Sequence, residues 1–190
     1  MNLIGKTPRI ATFIAIYVTL YLASSYMGLA TTSLGLQRPG VSEKNVFTLT
    51  GEDYSPERAW LITAVGGAVL VACVLFSAKY ADKVEDWWLR YPVCSFGKLY
   101  FNPWSDGIGV SPLHTLSLAL AFVVCRMLAA ANNLSLYLGG VGPIGALMKT
   151  VGSVTSPLMG FIIVGFSGFM AATVVLSPLA ARVIESWRDS

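Results

Sequence analysis

One histidine, His114, three cysteines and ten carboxylates are the groups this 190-residue chain offers for catalysis or metal ligation. Cys73, Cys94 and Cys125 are at least 21 residues apart and form no CxxC pair. A metal centre needs several such ligands converging, so free thiols and no metal or other cofactor are expected. A hydrolytic triad would have to join His114 to Asp106 and an unspecified serine, yet no GxSxG frame surrounds any serine. The glycines at 139, 140, 142, 145 and 152 are not followed by GK[ST], which removes a phosphate loop. The expectation is a protein that is not an enzyme.

The carboxylates are informative by position. Glu43, Glu52, Asp53, Glu57, Asp82, Glu85, Asp86, Asp106, Glu185 and Asp189 all lie outside the long apolar runs of the chain. Proton relays and many cation-coupled carriers place a carboxylate inside the membrane, where its energetic cost marks function. That design is not expected here. Arg126 is the one charge within an apolar run, and Asn132 and Asn133 follow it closely. Asn133 is seven positions on and shares its helical face with Arg126, so Arg126, Asn132 and Asn133 form a candidate intramembrane polar site.

These groups sit on elements set by composition. The chain is 55% hydrophobic and 12% charged, with a mean hydropathy of +0.65. Ordinary soluble domains carry roughly 25% charge. Disorder and a soluble globular enzyme are both excluded at this level of apolar content. Four runs are long enough to cross a bilayer, at about 10–29, 59–77, 113–131 and 158–180, and their apolar residues cover the whole helical circumference. The fold class is therefore an all-α membrane protein: one integral domain, a four-transmembrane-helix bundle with short interfacial helices in the loops. The first run is longer than a typical signal-peptide core and is read as an uncleaved anchor. Eight lysines and arginines fall on the side holding both termini and the middle loop, against four on the other side. The positive-inside rule then predicts cytoplasmic termini, in a bacterial inner (plasma) membrane.

Small residues recur four apart in every span. Examples are Ser24-Gly28-Thr32, Ala64-Ala68-Ala72, Ser117-Ala121-Cys125-Ala129 and Val164-Gly168-Ala172. Such ladders let helices pack closely where lipid removes the hydrophobic drive. The loops differ in character. The external loop, 31–58, is the most polar, with a short strand predicted at Val46–Thr50 and a helix start at Ser55-Pro56. The cytoplasmic loop, 80–110, holds seven aromatics from Trp87 to Trp104, and Lys79–Leu89 reads as a continuation of the second helix. Trp87, Trp88, Arg90, Tyr91 and Trp104 are its candidate contacts with a partner or with lipid headgroups. The Gly-rich loop, 132–157, is expected to carry a short surface or re-entrant helix near Pro143–Val151, and Ser177-Pro178 a kink.

Net charge of +3 reflects residues flanking the spans, and no basic cluster suggests nucleic acid. The expected partners are other integral membrane subunits and lipids. The expected role is assembly or stabilisation of a multi-subunit complex of the energy-transducing or the secretion/conjugation type. The alternative is a homo-oligomeric pore or carrier for anions or neutral solutes, lined by Arg126 and the Gly-rich loop.

Overall fold

The computed structural model describes residues 3–37, 55–101 and 111–188. Among these residues the chain is helical without strands: α1 (Leu3–Leu36), α2 (Pro56–Lys79), a 3-10 turn (Ala81–Lys83), α3 (Asp86–Arg90), α4 (Pro92–Phe101), α5 (Pro112–Tyr137), α6 (Pro143–Val154), α7 (Pro157–Val175) and α8 (Ser177–Arg188). Five of these helices open on proline, where a fixed φ suits the first turn and the missing N–H needs no partner. Ser55 caps α2: its Oγ accepts the Arg58 N–H at 3.3 Å and donates to Glu57 Oε2 at 2.8 Å.

Four helices are long and apolar enough to cross a membrane: Pro8–Leu36, α2, α5 and α7. The shortest, α7, has 19 residues and a length of about 28 Å, close to the hydrocarbon thickness of a bilayer. The four apolar runs read from the sequence fall on these helices, with different ends. The third continues past Ala131 to Tyr137, because Asn132 and Asn133 stay helical while their side chains bond outside the helix. It stops at Gly139, whose φ of 92° is left-handed, and the Gly140 N–H closes on the Ser135 carbonyl at 2.9 Å. The fourth run, predicted to reach residue 180, breaks at Leu176 between α7 and α8, beside the expected Ser177-Pro178 kink.

The predicted extension of the second helix to Leu89 is corrected. The helix ends at Lys79, and after the 3-10 turn Val84 and Glu85 are extended. The break turns Trp88 and Leu89 inward, where both are buried. The strand predicted at Val46–Thr50 lies outside the described residues.

The chain divides into two compact units. Unit 1 comprises residues 1–20, 67–122 and 170–190. In it α8 packs against α3, α4 and the 3-10 turn, and Ala180, Ala181, Ile184 and Trp187 of α8 are buried, as are Leu89 of α3 and Phe96 of α4. Phe13 meets Trp187 edge-on at 5.3 Å, and Arg9 donates to the Ser186 carbonyl at 3.1 Å. Unit 2 comprises residues 21–66 and 123–169. In it α6 and α7 approach closely at Gly160 of α7, where an added Cβ would collide with the Met148 carbonyl and lie 2.7 Å from the Gly152 nitrogen of α6. Only glycine admits two backbones at that distance.

Candidate functional site

The polar residues of α5 in unit 2 are each tied to a different neighbour. Arg126 stands 11 residues before the end of α5, about 16 Å along the axis. Its Nη2 donates to Thr63 Oγ1 of α2 at 3.3 Å, and its guanidinium lies 5.5 Å from the Tyr21 ring centroid of α1, a cation–π distance. The Tyr21 hydroxyl in turn donates to the Thr63 carbonyl at 2.6 Å. One helix turn on, the Tyr21 carbonyl accepts the hydroxyls of Ser24 and Ser25. Asn133 Nδ2 donates to Thr32 Oγ1 of α1 at 3.0 Å.

Asn132 turns to α6. The N-cap of that helix is Gly142, which has no side chain to offer, and Asn132 Oδ1 accepts the Gly145 N–H at 2.9 Å in its place. A Cβ on Gly142 would overlap that same oxygen, so glycine is required for the cap to be supplied from α5. The three residues singled out from the sequence thus share one unit and serve as separate ties between its helices. The sequence does not reveal Tyr21, Thr32 and Thr63 as their partners, because residues up to 105 positions away meet only through packing.

In unit 1 the aromatic segment divides. Trp87 and Tyr91 are about half exposed and tilt together at 6.0 Å, with Arg90 exposed beside them. Trp88 is withdrawn from this surface: it is buried, with its ring 5.1 Å from His114. Trp104 and Asp106 lie outside the described residues. Arg90 also lines a polar cleft of about 640 Å³ with Asp82, Asp86, Leu89, Glu185 and Arg188. Within it Arg188 pairs with Asp86 at 2.7 Å. Comparison with protein-family models, characterised proteins and solved structures finds no match.

His114 stands in the first turn of α5 and is buried. Its Nε2 is 2.8 Å from Ser95 Oγ, and Phe96 meets its ring edge-on at 4.3 Å. Among the described residues no three His, Cys, Asp or Glu groups converge for a metal ion. Cys73, Cys94 and Cys125 are free thiols; Cys94 is exposed, unlike the other two.

Proposed function

We propose that this chain is a non-catalytic integral subunit that assembles or stabilises a larger multi-subunit membrane complex, of the energy-transducing or secretion/conjugation type. It would lie in a bacterial inner membrane with both termini cytoplasmic, the orientation favoured by the distribution of lysine and arginine. The observation that carries the reading is the exposure of the small residues on α2 and α7, unlike the buried Ser24, Ser117 and Ala121 of α1 and α5. Ala64, Ala68 and Ala72 of α2 are exposed, and Gly165 and Gly168 of α7 have open space where a side chain would stand. Exposed small residues gain nothing against lipid, whereas they allow another helix to approach closely. Trp87, Arg90 and Tyr91 supply the residue types that dominate contact energies outside the bilayer.

The pore reading has less support. Asn132 and Asn133 are engaged in ties between helices, as Arg126 is with Thr63, so a conducting path along them would have to break packing bonds. Mild detergent extraction from the native membrane, followed by sizing and mass spectrometry, tests the proposal. Stoichiometric co-migrating membrane proteins are expected. A homo-oligomer without partners would overturn the subunit reading and favour the pore.

A further inference from the structure

We propose that Trp88, Ser111 and His114 form a buried binding site in unit 1 for one hydroxyl group that both donates and accepts a hydrogen bond. The proposal is independent of the subunit role. The Ser95 hydroxyl has one proton, and that proton goes to the Pro92 carbonyl at 2.6 Å. Ser95 Oγ can then meet His114 Nε2 at 2.8 Å only as the acceptor, so Nε2 carries the hydrogen. In the neutral ring Nδ1 is left with a lone pair, buried and without a donor. Trp88 Nε1–H, from the ring packed against His114, is buried without an acceptor. The third unpartnered atom is Ser111 Oγ, one turn before His114 at the mouth of α5. Ser111 is spent in α5 only through its carbonyl, which accepts the Thr115 N–H and hydroxyl.

All three side chains are more than nine-tenths buried. One unpaired donor, one unpaired acceptor and a hydroxyl able to serve either way match a single hydroxyl. Buried polar atoms left unpaired are costly, and one water-sized group satisfies two to four of them. The group is the same whether it is a water molecule or the alcohol of a bound lipid or solute.

Nitrogen-15 NMR of the full chain in nanodiscs, with histidine and tryptophan labelled, tests the site. The expected result is His114 in the Nε2–H form, with Nδ1 shifted by accepting a hydrogen bond, and a Trp88 indole proton hydrogen-bonded to the same group. For water, both nitrogens show cross-peaks to the solvent resonance. For an alcohol, the cross-peaks run to carbon-bound protons of a co-purified molecule and disappear on delipidation. Trp88→Phe keeps an aromatic ring against His114 but removes the indole donor, and should move the His114 Nδ1 resonance. A protonated Nδ1, an Nδ1 free of hydrogen bonding, or an Nδ1 resonance unchanged in Trp88→Phe would each overturn the proposal.

Discussion

The same substitution at three positions of α7 should have opposite consequences. At Gly160 a methyl group would come within contact of the Met148 carbonyl, 2.7 Å from the Gly152 nitrogen and 2.9 Å from its Cα. All three obstacles are backbone, so no side chain can swing away, and α6 and α7 must separate. Overpacking of this kind costs about 1–3 kcal/mol, partly offset by about 0.5–1 kcal/mol from replacing glycine with alanine in a helix. At Gly165 and Gly168 the methyl meets nothing within 4 Å. Only the helix-propensity term remains there, so Gly165→Ala and Gly168→Ala should be neutral or stabilising by up to about 1 kcal/mol. Equilibrium unfolding of the three variants in one lipid–detergent mixture, with wild type alongside, measures the contrast. Gly160→Ala should fall below wild type while the other two do not. If Gly160→Ala matches Gly165→Ala within about 0.5 kcal/mol, the close α6–α7 approach is not what fixes glycine at 160.

Other perturbations give graded outcomes. Tyr21→Phe removes the 2.6 Å bond to the Thr63 carbonyl but keeps the ring beneath Arg126, so it should cost only about 0.6–1.7 kcal/mol in unfolding measurements. Trp187→Ala empties a site that is 1% exposed and should cost about 3–5 kcal/mol, read as early proteolysis of α8. Trp87→Ala, at 44% exposure, should leave proteolysis of the same segment unchanged. Asp86→Asn breaks a pair whose carboxylate is largely exposed, and should shift unfolding by no more than about 1 kcal/mol, less in high salt.

What the sequence discloses is what periodicity and local chemistry carry. Four apolar runs map onto four helices because uniform hydropathy over some twenty residues has few other structural outcomes. Ser55-Pro56 and Pro143 each mark a helix start because capping and proline geometry act within one turn, whereas Ser177-Pro178, read as a kink, stands at the start of a separate helix. The short helices of unit 1 are less legible. Trp87 and Trp88 are adjacent and chemically equal, yet one is exposed and the other is buried with its ring against His114 of α5, in a segment that packs on α8 about a hundred residues later. The third helix runs on past Ala131 to Tyr137 for a related reason. Asparagine weakens a helix when its side chain competes for local backbone, but Asn132 and Asn133 find partners on α6 and α1. Candidate residues were legible as intramembrane polar groups, whereas their roles as ties depend on partners that only the fold brings near.

Those ties bear on how a partner would be held. Arg126, Asn132 and Asn133 bond to Thr63, Gly145 and Thr32 of the same unit. The faces left for another helix, Ala64-Ala68-Ala72 on α2 and Gly165 with Gly168 on α7, have only small apolar surface to offer. Association through them depends on van der Waals contact at close range and not on charge, and added bulk should weaken it sharply. Gly168→Leu or Ala68→Leu should therefore reduce recovery of the complex several-fold while leaving the isolated chain as stable as wild type. Raising salt from 0.1 to 1 M should have little effect on contacts through these faces. A contact built on Arg90 beside Trp87 and Tyr91 would instead weaken over that range, because the screening length falls from about 10 to 3 Å. Pull-down of tagged wild type and variants at both salt concentrations separates the two surfaces. Full recovery with Gly168→Leu and Ala68→Leu, combined with loss at 1 M salt, would show that the spans do not hold the partner and would move the interface to the exposed aromatic surface around α3.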